Sequence, residues 1–291
     1  MQFCPNPNCA CHTQEVDGWY VKNGYYKPKN TGQKVPRYQC KACGKNFSSH
    51  TGKATEGQKK PRINKLLFEL LVSGVSLRRA SMLLKVSATT VNRHFHFLAR
   101  RAEQEHYKHL ATLKTGYIQL DELETFIHAR AKPLSVPVVV RVKTGEVLGF
   151  EVARMPSKGR LAKFGKDEYH WTVDERQGKF ESMLLASKHC FKPGVVIGCD
   201  SHHSYPKWIR NTVPGAVLNR SKLAKKQPKN STLTASKTTY DPLFAINNTF
   251  ARMRHDMNRL GRKTWSTTKT LDGLKSHLWL YVAWKNGYKI W

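Results

Sequence analysis

At 291 residues the chain is long enough for a substantial core with one or two small appendages. Lys and Arg number 50 against 20 Asp and Glu, a formal charge of +30 with a pI near 10.0, and the excess is spread along the whole chain. Such a surface draws polyanions, so nucleic acid is the expected partner. A membrane is set aside, because no segment nears the ~20 apolar residues of a spanning helix and Met1-Gln-Phe-Cys4 begins no signal-peptide pattern. A cytoplasmic location is expected, and cysteine usage agrees with it. Five of the seven cysteines fall in the first 43 residues, at metal-ligand spacings and not those of a disulfide framework.

The first module, residues 1–50, begins with Cys4-Pro-Asn-Pro-Asn-Cys9. It continues through the basic, aromatic, hairpin-like stretch Trp19-Tyr-Val-Lys-Asn-Gly-Tyr-Tyr26 and closes on Tyr38-Gln-Cys40-Lys-Ala-Cys43. Two close cysteine pairs about thirty residues apart are the arrangement of a four-sulfur zinc ribbon, each pair forming a knuckle that places two thiolates on one tetrahedral metal. The expected ligands are Cys4, Cys9, Cys40 and Cys43, with Cys11 and His12 as competitors for the second place. A closed four-ligand zinc is a structural staple. The module's service would be to present Lys22, Lys27, Lys29, Lys34 and Arg37 to a phosphate backbone.

Residues 48–61 lack periodicity and read as a linker. Over 61–110 the pattern is helical. Ile63, Leu66, Leu67, Leu70 and Leu71 recur at helical spacing, Gly74 stops that helix and Ser76 caps a second. Ser87 caps a third, whose buried face is Val91, Phe95 and Leu98. Thr89, Thr90, Asn92, Arg93 and His96 point elsewhere. A tight turn before a third helix bearing Ser, Thr, Asn and Arg is the helix-turn-helix arrangement, with 88–96 as its recognition helix reading double-stranded DNA. Residues 100–110 continue as a charged connecting helix.

From Tyr117 the alternation has period two, and Asp121 is expected where that strand runs out. Strands at 136–142 and 147–152 follow, joined by the turn at Lys143-Thr-Gly-Glu146. A basic loop at 157–166 leads to a helix after Asp174-Glu175. The apolar run Gly194-Val-Val-Ile-Gly-Cys-Asp200 then ends on a second aspartate, ahead of a polar turn, Ser201-His-His203. Carboxylates on neighbouring strands suit Mg²⁺, which takes oxygen ligands. After a short strand at 216–218, the run from Arg220 to Asn230 holds Lys222, Lys225, Lys226 and Lys229 with no acid between them, as a solvated loop or a track for a DNA strand. In the helix at 243–260, Ile246, Phe250, Met253, Met257 and Leu260 form the packed stripe. Asn247 and Arg254 share another face, about 10 Å apart along the axis. An aromatic helix at 276–284 closes the chain.

Three strands, a helix, a strand with the second aspartate and a later helix describe a ribonuclease H-like core, residues 115–291. The expected fold class is thus α/β: that core preceded by a small zinc ribbon and a helix-turn-helix module. With the cysteine knuckles, Asp121-Glu122-Leu123, Cys199-Asp200-Ser201-His202 and Arg259-Leu-Gly-Arg-Lys263 followed by Ser266 and Lys269, the chain resembles insertion-sequence transposases of the DDE type. It is closest to the branch typified by insertion sequence one. The resemblance places the first two carboxylates on Asp121 and Asp200 and the later cation on Arg254, and it departs at the third carboxylate, where Asn247 stands. It implies a bacterial, nucleoid-associated enzyme working as a homodimer or larger assembly on transposon ends and target DNA. Structural Zn²⁺ and two catalytic Mg²⁺ ions, held by Asp121, Asp200 and Asn247, go with it. The competing expectation, prompted by Asn247, is a catalytically inactive transposase-derived DNA-binding regulator.

Overall fold

The computed structural model describes residues 3–14, 16–28, 33–221, 241–262 and 264–291. The chain forms two compact units, Met1–Asn64 and Lys65–Trp291.

In the first unit a single helical turn, α1 (Ala10–Thr13), precedes three strands, β1 (Tyr20–Tyr26), β2 (Val35–Cys40) and β3 (Asn46–Ser48), in an antiparallel sheet of that order. The expected hairpin at 19–26 is instead one strand. Lys22 pairs with Tyr38 and Tyr25 with Pro36, so β1 carries one residue more than β2 over that interval. Gly24, at φ +69°, lies in the resulting bulge. The core is small: Trp19 stacks on Phe47 at 5.0 Å beside the buried Cys4, Cys9, Cys11 and Cys40.

The rest of the chain runs α2 (Asn64–Val72), α3 (Leu77–Leu83), α4 (Ala88–Thr112), β4 (Thr115–Phe126), β5 (Pro133–Arg141), β6 (Val147–Phe150), β7 (Ala153–Arg154), α5 (Ala162–Tyr169), α6 (Arg176–Ser187), β8 (Phe191–Asp200), α7 (Tyr205–Thr212), β9 (Val217–Ser221), α8 (Phe244–Asp256) and α9 (Leu271–Lys285). Ser76 and Ser87 cap α3 and α4, accepting from the Arg79 and Thr90 N–H groups. Without a break α4 covers both the expected recognition segment and the expected connecting helix. Its buried Val91, Phe95, Leu98 and Ala102 pack with Leu67, Leu71 and Ala80, and with Leu280 and Ala283 of α9. Residues 61–110 and 115–291, anticipated as separate domains, therefore share a core over 65–291, because the closing helix inserts between them.

The larger sheet has the order β6-β5-β4-β8-β9, with β7 also on β5. Its first three strands are antiparallel, while β8 runs parallel to β4 and β9 parallel to β8. Alternation sorts the strand residues onto two faces. On one, Leu123, Val136, Val138 and Val140 meet Ile246, Phe250 and Met253 of α8 and Leu278 and Tyr281 of α9. On the other, Ile118, Leu120, Ile197 and Cys199 meet Phe180 and Met183 of α6 and Tyr205 and Trp208 of α7. The structure thus shows a mixed α/β protein with a mixed sheet.

Several boundaries differ from expectation, the closing helix among them, which begins at Leu271 and not at 276. The basic stretch at 157–166 is not a loop throughout, since a 3-10 turn at Gly159–Leu161 leads into α5. Helix α7 follows the polar turn unannounced, its Tyr205, Trp208, Ile209 and Thr212 buried. Helix α8 ends at Asp256, yet Met257, which caps a 3-10 turn at Asn258–Leu260, and Leu260 within that turn stay buried. Among the described residues no helix is long and apolar enough to cross a membrane.

Candidate functional site

The sulfur atoms of Cys4, Cys9, Cys40 and Cys43 lie within 4.8 Å of one another. Among the described residues they are the one cluster of three or more His, Cys, Asp or Glu ligand atoms that close. Cys4 Sγ is 3.6 Å from Cys43 Sγ and Cys9 Sγ 3.8 Å from Cys40 Sγ. Four converging thiols suit a metal such as zinc, which takes sulfur ligands in a tetrahedron. The N–H of Lys45 holds the Cys43 thiol down at about 6, whereas burial pushes the Cys4 thiol up and that of Cys9 up to about 12, so the convergence of the sulfurs and not their acidity argues for a metal. The competition for second ligand resolves to Cys9. Cys11 is buried outside the cluster, and His12 is bonded through Nδ1 to the Cys4 carbonyl at 2.5 Å.

Asp200 is the last residue of β8, as expected. Asp121, however, is not at a strand end: β4 continues through the buried Leu123 and Thr125 to Phe126, and Asp121 pairs with Val138 in mid-strand. The parallel register still brings the two aspartates together. The ladder runs to Gln119 opposite Gly198, two residues short of each aspartate, and the Asp200 charge acts on the Asp121 carboxyl. Both project on the face that α8 covers. There a Cβ on Gly198 would be 3.0 Å from Gln119 Cγ, so glycine gives the Gln119 side chain its room. Gln119, buried, ties the start of α8 down: its Nε2 donates to the Pro242 carbonyl at 2.8 Å and its Oε1 accepts from the Ile246 N–H at 3.1 Å.

Burial first, and then the charge of Asp200, push the Asp121 carboxyl up to about 6, although the Glu122 N–H at 2.7 Å favours its anion. Two residues that the sequence did not single out complete this environment. The Tyr205 hydroxyl, from α7 on the far face, is 3.3 Å from Asp121 Oδ1 and 3.2 Å from Glu122 Oε2, and Ser135 Oγ donates to Glu122 Oε1 at 2.5 Å. The Asp200 Oδ1 accepts from the His202 N–H at 2.9 Å. Only the spacing of Tyr205, Trp208 and Ile209 after the His pair signalled a helix there.

On α8, Asn247 and Arg254 are both half-buried. Burial and the neighbouring Arg262 lower the Arg254 pKa while Asp121 opposes the shift, which places this cation within electrostatic reach of the carboxylates. The Asn247 Nδ2 donates to Asp241 Oδ2 at 2.9 Å. On α4, Thr89, Asn92 and Arg93 are exposed. Thr90 belongs to the cap, its hydroxyl 2.9 Å from Ser87 Oγ, and His96 turns to α9, its Nδ1 2.9 Å from Ser276 Oγ. Lys225 and Lys226 lie outside the described residues. No protein-family model matches the chain, and no curated protein matches its sequence.

Proposed function

We propose that this chain is a metal-dependent DNA transposase that binds transposon-end DNA, cleaves it and joins it to a target. The observation that carries the reading is the adjacency of Asp121 and Asp200 on parallel strands, on a face that also holds Arg254. The strand order β6-β5-β4-β8-β9, three antiparallel and two parallel, supports a ribonuclease H-like core. Capped α3 and α4 with a four-residue turn support a helix-turn-helix, and the cysteine cluster supports a structural zinc ribbon.

The donor set fits Mg²⁺: Asp121, Asp200 and the amide oxygen of Asn247 are all hard oxygen ligands, and a cation would offset the burial and the Asp200 charge that raise the Asp121 pKa. When bound, Mg²⁺ lowers the pKa of an attacking hydroxyl and offsets charge on the scissile phosphate. The chain's own part is orientation. Tyr205 and the Glu122 N–H fix Asp121, the His202 N–H fixes Asp200, and Arg254 offers a cation to the same strand of DNA. Transposition on two ends calls for a homodimer or larger assembly.

Asp121→Ala and Asp200→Ala should each abolish Mg²⁺-dependent cleavage and strand transfer while end binding, read by mobility shift, stays within about twofold. Near wild-type cleavage by either variant would remove that aspartate from the site. The asparagine at 247 favours a second reading, the transposase-derived regulator, because a neutral amide brings no charge where a third carboxylate would. The enzyme reading expects Asn247→Ala to lose far more strand transfer than Asn248→Ala. A wild-type protein that binds ends but never cleaves, at any Mg²⁺ concentration, decides for the regulator.

A further inference from the structure

The reading above leaves unused a face of the small sheet in the first unit, where partly exposed tyrosines border the buried Phe47. Cross-strand partners project on the same side of an antiparallel sheet. Lys22 pairs with Tyr38 and Tyr38 with Phe47, so Tyr20, Lys22, Tyr38 and Phe47 share a face. Simple alternation would send Tyr25, three residues after Lys22, to the other side. The bulge at Asn23-Gly24 resets the count, and Tyr25, paired with Pro36, returns to the face of Tyr38. Tyr20 is 40% and Tyr25 62% exposed, and the Lys34 ammonium stands 5.9 Å over the Tyr25 ring. Beside them Tyr20, Tyr38 and Phe47 wall a cleft of about 410 Å³, whose rim is the turn holding Ser49, Thr51 and Lys53.

We propose that this face is a stacking site for the unpaired bases of a single-stranded nucleic acid. Strand propensity accounts for tyrosines in β1. It does not account for Tyr20 and Tyr25 sharing one side, with Tyr26 alone on the other, beside Lys22 and Lys34 and next to an aromatic-walled cleft with hydroxyls at its mouth. The charge selects a polyanion: the first 64 residues hold eleven Lys and Arg against three Asp and Glu. The rings select the strand state. In a duplex the base planes are stacked on each other and only their edges are offered, whereas free bases stack on aromatic side chains with a gain of about 1–3 kcal/mol each. The inference rests on nucleic acid as the partner and not on the chemistry at Asp121.

The test uses the full, zinc-loaded chain with a single-stranded DNA carrying 2-aminopurine, and the same sequence as a duplex. The base's fluorescence should be quenched on binding. Tyr25→Ala should weaken single-strand binding about tenfold or more and leave duplex binding within about twofold. Tyr25→Phe, which keeps the ring, should bind as wild type. Zinc content, measured for every variant, confirms that the module is intact. Equal losses on single strand and duplex would overturn the proposal in favour of a plain phosphate contact, as would a Tyr25→Phe defect equal to that of Tyr25→Ala. A drop in oligomeric state on Tyr25→Ala would overturn it in favour of a second copy on this face. Asp121→Ala should bind the single strand normally, so a failure of the catalytic reading is distinguishable from a failure of this one.

Discussion

Asp121 carries a cost that can be measured without any DNA. Its carboxyl is raised from the ordinary 3.8 to about 6, first by burial and then by Asp200. Below about pH 4 it is protonated in both folded and unfolded chains. Between about 4 and 6 the folded protein keeps a proton that the unfolded chain has released, and above 6 the folded state holds the anion at full cost. Stability from this group therefore falls as pH rises through that window, by about 3 kcal/mol at most. Asp121→Asn keeps an oxygen for the Glu122 N–H and the Tyr205 hydroxyl but never ionises. In metal-free buffer it should be more stable than wild type at pH 7.5, by about 1–3 kcal/mol, with the gain gone at pH 4. Urea melts at the two pH values check this. An Asn variant less stable than wild type at pH 7.5 would mean that the carboxylate is not crowded.

At the scale of elements, what the sequence disclosed and what it hid have separate causes. The cysteine set and the aspartate pair were legible because each is written in local spacing: two thiol knuckles, and two apolar alternations carrying an acid. The mid-strand place of Asp121 was hidden because an acid in a strand reads as its end, although Leu123 and Thr125 continue the alternation on beyond it. Helix α7 was hidden because Ser201-His-His203 has the composition of a turn and its apolar spacing begins only afterwards. The bulge at Gly24 mimics a hairpin turn in sequence, and only the partner strand reveals which it is. In α4 the exposed and buried sides were legible from period, but His96 was not, because its partner Ser276 lies 180 residues away. Of the residues expected to read base edges, Thr89, Asn92 and Arg93 are exposed on this helix. Arg93→Ala should reduce preference for end sequences over random duplex about tenfold or more, as the loss of one bidentate base contact would, with random-duplex affinity little changed. Binding titrations on both duplexes measure it. An equal loss on both would assign Arg93 to a phosphate.

The whole molecule divides its stability between two cores of different kinds. Residues 65–291 have three apolar clusters, built on the two faces of a sheet and on the α2–α4 helices with α9. The first unit has Trp19 and Phe47 with the cysteines themselves, so its interior is largely the candidate metal site. In such modules the free energy of metal binding is the free energy of folding. With the metal removed, four thiols remain packed within 4.8 Å, and Cys4, Cys9 and Cys40 are buried with little apolar surface around them to hold the knuckles closed. A strong chelator, or Cys40→Ser, should therefore unfold residues 1–64 alone. The native protein is expected to carry one zinc. On its removal the near-ultraviolet signal of Trp19 should be lost and proteolysis should begin within the first unit, while the melting of the 65–291 core shifts by no more than a degree or two. Elemental analysis finding no zinc in freshly purified protein would end the assignment, and a core transition that collapsed together with the first unit would show that the two are not independently stable.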